Sequence, residues 1–356
     1  MTGLIRAGFA VASCAALTVT AAAQLTGRAF DPLGTLSPGD RHTIDAGRAA
    51  VDVVREPDID LAVVGAVRTT VDGERLFAWY RDVEQLQRGV YVPVLQRFSD
   101  PPRIEDLESL VLDESEVEDL RDCRPGDCDL KLAAGEIRQI HRAIDGAGRQ
   151  WIPAAQDAFR RVLLARARAF LTQGFSGTPP YDDHREGVVA ADEFAVLLNG
   201  CSLAGLGRKP VLDSLRRYPR SREHETFLFW SKELLGDAKP IIGITAVTLF
   251  PGSPAGDPPV VASTQVYASH YINASLSLTG VVTARAGAAR YLVYGRCTRT
   301  DAFGGTFGGF IRRMVQKRVR KEGPPVLDSL RMKLESGPPR SRVQGTAVPR
   351  NNPGGA

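Results

Sequence analysis

The chain has 356 residues, 43% of them hydrophobic and 24% charged, which supplies enough apolar material for a sizeable core and argues against a disordered chain. Its formal net charge of +4 is too small for the concentrated basic face of a nucleic-acid binder, so no nucleic-acid partner is expected. At this length one large domain or two small ones both fit.

The N-terminus, MTGLIRAGFAVASCAALTVTAAAQ, carries one early charge, Arg6, then an uncharged Ala- and Val-rich run ending at Ala21-Ala22-Ala23. Small residues at that position are the pattern of a signal-peptidase site, so residues 1–23 are expected to be a cleaved leader and the protein periplasmic or secreted. Other readings are a membrane anchor, for which the run is short, and lipidation of Cys14. Residues 24–59 read as an extended, turn-rich segment, with DPLGTLSPGD as its loop. A single α+β domain is expected over 60–335. It opens with a β-branched strand over 60–71 and a helix over 72–88, for which Asp72 is a plausible N-cap.

Helices dominate the middle, about 102–206. Between Glu105 and Asp129 eleven acids stand against two bases, Arg121 and Arg124. The apolar residues among them suggest short helices with solvated acidic faces, and the calcium-loop pattern with its central Gly is absent. In CRPGDC, a Pro125-Gly126 turn brings Cys123 and Cys128 towards bonding range, so a local disulfide is expected in an oxidising compartment. Spacing leaves the pairing of Cys201 and Cys297 open. The clearest helix is 151–174, with its apolar residues in helical repeat and Gly174 as C-cap. The segment 193–206 also reads as helical. YDDHRE clusters Asp182, Asp183 and His184, and it reads as a polar loop rather than a metal site. The motif PVLDSLR occurs at 210–216 and 325–331, without matching flanks, as two amphipathic segments.

Four successive strands follow in the back half, within 225–300, separated by Gly-, Pro- and Asp-containing links. One of them, VASTQVYASHYINASLSLTGVV, is read as a single long strand. One face would carry Gln265, Tyr267, Tyr271, Ser275 and Ser277, with the tyrosines at the surface or in flanking packing. The other would carry Ala268, His270, Ile272, Ala274 and Leu276. A long helix closes the domain. Phe307, Phe310 or Ile311, Met314 or Val315 and Val319 form a stripe suited to packing on the sheet, and six bases between Arg312 and Lys321 lie mostly elsewhere around it. Contact of this basic helix, 307–321, with a membrane surface is the other reading. Residues 336–356 lack an apolar pattern and are expected to be disordered.

The segments AVRTTVDGERLFAWYRDVEQLQ and GGFIRRMVQKRVRKEGPPVLDSLRMKLE resemble the opening strand and helix and the closing helix of the START and polyketide-cyclase-like helix-grip superfamily; Asp82 would fill the place of an Asp that recurs there. RFSDPPRIEDLESLVLD, LRDCRPGDCDLKL and YASHYINASL resemble segments of a set of uncharacterised exported bacterial proteins. The helix-grip resemblance implies an antiparallel sheet wrapping the last helix around an apolar cavity, with a helical insertion added here. It implies a lipid-like or polycyclic ligand lined by Ala268, His270, Ile272, Ala274 and Leu276, with His270 as the polar tip. No P-loop, nucleophile elbow or HExxH occurs, so no cofactor, metal or catalytic residue is assigned. An envelope interaction module, with opposite charges on 105–129 and the last helix, is the alternative. A cyclase- or hydrolase-type enzyme using His270 is the third.

Overall fold

A computed structural model describes residues 34, 36–218, 223–234, 238–253, 256–284 and 289–337. The expected leader and all but the first two residues of the expected disordered tail lie outside the described residues.

Residues 24–59, expected to be extended or looped, hold a helix and a strand. Ser37 and Asp40 form a reciprocal capping box, and Pro38 occupies the first turn, so α1 (Pro38–Asp45) starts where the sequence suggested only a loop. β1 (Ala50–Val54) follows and pairs with β2 (Leu61–Thr69). The Asp72 side chain accepts from the Arg75 N–H at 2.9 Å and opens α2 (Gly73–Arg81), the N-cap expected from sequence. One helix was expected over 72–88, but Asp82 leaves helical geometry. Its side chain caps a second short helix, α3 (Val83–Gln87).

β3 (Val94–Arg97) precedes the helical insertion: α4 (Glu114–Asp122), α5 (Ala134–Ala147), α6 (Trp151–Gln173), α7 (Ala190–Gly200) and α8 (Lys209–Arg217). α6 ends at Gly174 with φ +66°, the positive-φ cap its sequence signals. The acids of 105–129 are not simply a solvated face. Lys232 takes Asp113 and Glu116, at 2.9 and 2.8 Å, and Lys239 takes Asp119 and Asp129, at 2.6 and 2.9 Å.

Five strands, not four, complete the sheet: β4 (Thr226–Glu233), β5 (Ile241–Phe250), β6 (Val260–Ala268), β7 (Ile272–Thr283) and β8 (Arg290–Thr300). The stretch read as one strand is a hairpin that turns at Ser269-His270-Tyr271. Among the described residues the sheet has eight antiparallel strands in the order β1-β2-β8-β7-β6-β5-β4-β3. The opening strand β2 therefore lies beside the last strand β8, and the rest is a meander.

Helices cover both faces. On one, α5 and α6 bury Leu228, Trp230, Ala246 and Val266, while α7 lies on β7 and β8. On the other, α2, α3 and the last helix, α9 (Gly308–Glu335), bury Phe227, Phe229, Val247, Val261 and Leu292. α9 packs against β1 and β2 and runs unbroken through Gly323-Pro324-Pro325. Its close approach needs glycine on both sides of Val51: a Cβ on Gly65 would lie 2.9 Å from Val51 Cγ2, and one on Gly323 2.7 Å from Val51 Cγ1.

The expected packing stripe of α9 is only partly used. Val315 and Val319 are half-buried, but Phe307, Phe310, Ile311 and Met314 are exposed. Asp60, Asp52 and Val51 hold the opposite side of the helix through Arg312, Arg320 and Gly323, which turns those apolar side chains outward.

Candidate functional site

The hairpin turn places His270 away from any strand face. It is 3% exposed. Its ring Nδ1–H donates to the Asp129 carbonyl at 2.8 Å, and the neighbouring Ser269 carbonyl accepts from the Lys131 N–H at 2.9 Å. Burial pushes the imidazole below its ordinary value of 6.5, against the upward pull of the Asp129 hydrogen bond. The folded state therefore binds this proton less readily than the unfolded chain. The resulting stability is full above pH 6.5 and is lost as pH falls from there towards the lower folded value. His270→Gln, which keeps a donor and removes the titration, is expected to flatten the fall in unfolding free energy between about pH 7 and 5. Urea titrations of both proteins across that range measure it. Parallel slopes would show that His270 does not contribute.

Below the turn lies a buried ionic cluster. Lys131, 1% exposed, bonds Asp183 at 3.2 Å and also Asp301. Asp183, His184 and Asp301 could together offer ligands to a cation, but the Lys131 ammonium already supplies the positive charge between the two carboxylates. The rest of YDDHRE secures the chain. The Asp182 side chain accepts from the Ala134 N–H at 2.7 Å and its carbonyl from Gly126, while the Asp183 carbonyl accepts from Cys128. These bonds dock the loop on the Cys123–Cys128 disulfide turn, whose Cα atoms are 4.4 Å apart. Next to it, Arg166 makes a two-pronged pair with Glu136 at 2.6 and 2.8 Å, between Tyr181 and Tyr267. Burial pushes the Tyr181 hydroxyl up to about 12. Tyr267, expected at the surface or in flanking packing, is fully buried. A bulge where β5 meets β6 at Ile244/Thr245 turns it to the same face as Val266.

The sequence-assigned lining residues do not share one cavity. Ala268 and Ile272 pack with Ile241 at the hairpin end. Ala274 and Leu276 lie on the face covered by α7, in the same register as Cys297, which is bonded to Cys201 beneath that helix. That face is closed to a lipid-like ligand: the space between α6, α7, α8 and the sheet, lined by Phe170, Phe194, Tyr218 and Thr264, amounts to about 20 Å³, room for about one water. The apolar register thus meets the helical insertion, and the polar register looks towards α9.

That polar register forms the second arrangement. Ser263, Ser277 and Arg296 stand directly opposite one another on β6, β7 and β8. The alternation of side chains puts this row on the face that carries Val261, Val281 and Leu292. One step along the strands lie Thr245 opposite Gln265, and Ser275 opposite Thr298. Arg296 is half-buried; its Nε–H donates to the Ser275 hydroxyl at 2.9 Å. Its two terminal nitrogens have no side-chain or backbone partner among the described residues. Gln265 Oε1 and Asn273 Oδ1 are buried acceptors without partners. Adjacent strands are about 4.8 Å apart, so the row offers hydroxyls and a guanidinium across about 10 Å of sheet. Such a set can hold a carboxylate or phosphate. The Ser-Leu-Ser-Leu alternation signalled this face in the sequence, but not which helices would meet it.

No protein family, no curated protein and no solved structure matches the chain. Geometry alone carries the functional reading.

Proposed function

We propose that this protein is an exported, non-catalytic carrier of an amphipathic small molecule. The anionic or polar group of the ligand lies on Arg296, Ser277 and Ser263, and its lipid-like body runs along the apolar part of the same sheet face towards α9. The observation that carries this reading is Arg296. An arginine with free terminal nitrogens sits at mid-strand, half-buried, among serines, on a face whose other half is a hydrophobic core. Those terminal nitrogens are not among the buried atoms, so they stand open to an incoming carboxylate or phosphate, which a guanidinium holds with two parallel hydrogen bonds.

Two further features support it. Strand, helices, meander and closing helix occur in the order that the helix-grip resemblance implies, with the opening strand beside the last. Two disulfides fit an oxidising compartment, and no helix among the described residues is long and apolar enough to cross a membrane.

Titration of the chain from Gln24 onward with a long-chain fatty acid, followed by native mass spectrometry and calorimetry, tests the proposal. Stoichiometric binding is expected. Arg296→Gln should weaken it by about ten- to a hundredfold, the range for a hydrogen bond to a charged group. The corresponding fatty alcohol should lose most of that dependence on Arg296. Failure to bind either compound, or equal affinity of wild type and Arg296→Gln for the acid, would sink the reading.

A further inference from the structure

We propose that the outward face of α9, from Phe307 to Lys321, docks the protein on an anionic lipid surface. Phe307, Phe310 and Met314 are 73%, 57% and 55% exposed, and Ile311 is 37% exposed. Large apolar side chains concentrated so closely at the surface mark a contact site. At 100° per residue, Phe310, Met314, Lys317 and Lys321 fall within one arc of the helix, with Arg313 at its border. Arg312, Val315, Val319 and Gly323 occupy the opposite arc, which is the side held by the sheet edge.

Charge decides the partner. No acid occurs on α9 before Glu322, and that one is taken by Arg318 at 2.9 Å and by the Tyr91 hydroxyl. Arg312 and Arg320 are paired with Asp60 and Asp52. Arg313, Lys317 and Lys321 are exposed and make no ion pair or hydrogen bond to described residues. Three uncommitted cations therefore flank the aromatic and methionine side chains. Phenylalanine and methionine can enter the headgroup boundary while lysine and arginine stems reach back to lipid phosphates.

Other occupants fit less well. A second copy would bring Lys317 and Lys321 against their own equivalents across a two-fold axis. The cores of protein interfaces are depleted in lysine. A nucleic-acid backbone has no use for Phe310 and Met314. The chain's own acidic segment already spends Asp113, Glu116, Asp119 and Asp129 on Lys232 and Lys239.

Vesicle flotation tests the proposal with the chain from Gln24 onward. The protein should float with phosphatidylglycerol-containing vesicles and not with pure phosphatidylcholine, and added salt should release it. Each neutralised base should lower the partition coefficient about fivefold, so the triple variant Arg313→Gln, Lys317→Gln, Lys321→Gln should lose about a hundredfold. Phe310→Ser with Met314→Ser should abolish flotation. All five positions are exposed, so circular dichroism should be unchanged, and fatty-acid titration of the same variants separates this surface from Arg296. Equal flotation with neutral and anionic vesicles, or by the variants and wild type, would overturn the proposal. So would vesicle-free dimerisation that Phe310→Ser abolishes, which would assign the face to a second copy.

Discussion

Glu136→Ala is expected to destabilise the protein by about 3–5 kcal/mol, the cost of leaving a buried charge without its partner. Arg166 is 1% exposed. Both of its prongs end on Glu136 oxygens, and aromatic rings of Tyr181 and Tyr267 lie 5.3 and 4.8 Å from its guanidinium carbon. Glu136 also accepts from the Ala133 N–H at 2.8 Å and so caps the first turn of α5. Its removal therefore strands a cation and opens a helix end at once. Replacing both partners, Glu136→Leu with Arg166→Met, should recover part of the loss, because an apolar pair of similar volume leaves no stranded charge. Denaturant unfolding of the two variants checks this. A loss below about 1 kcal/mol for Glu136→Ala would mean that water reaches Arg166 and the site is not closed.

Where local signals and tertiary demands agree, the fold was legible. The helical repeat of 151–174 and its terminal Gly174 became α6 within a residue, because both are local properties of the chain. Asp72 capped α2 for the same reason. The turn at Ser269-His270-Tyr271 escaped because it contains no Gly, Pro, Asn or Asp, and Ser269 alone fits a strand face as readily as a turn. It is held from outside: Tyr271, at φ +63°, accepts at its carbonyl from Thr300 and Asp301 and at its hydroxyl from the Lys239 N–H. No window of sequence around His270 contains those partners. The same holds for Lys131, Asp183 and Asp301, which come from three separate segments. Alternation along β7 separated a polar from an apolar register correctly. Assigning the apolar one to the α9 side failed because both faces of this sheet are covered. When helices lie on both sides, hydrophobicity no longer tells which face holds a cavity. The apolar register went to the side of the helical insertion, and Arg296, a charge between buried neighbours in β8, lies on the other face.

The disulfide between Cys201 and Cys297 should contribute more stability than the one between Cys123 and Cys128. It joins residues 96 apart, against 5 for the shorter loop. By loop-closure entropy the long crosslink is worth about 4–5 kcal/mol and the short one about 2 kcal/mol. Geometry points the same way. Cys201 caps the end of α7, Cys297 sits in the middle of β8, and the bond crosses the closed side of the sheet, with Cα atoms 6.4 Å apart. It therefore ties the helical insertion to a strand that pairs with both β2 and β7. The Cys123–Cys128 bond closes a single turn that backbone hydrogen bonds to Asp182 and Asp183 already hold. Cys201→Ala with Cys297→Ala should lower the denaturant midpoint far more than Cys123→Ala with Cys128→Ala. Denaturing mass spectra before and after reduction should differ by four hydrogens in the wild type and by two in either variant. A larger loss from the short-loop variant would place the main stabilising link in the docking of the acidic insertion rather than in the seam between α7 and the sheet.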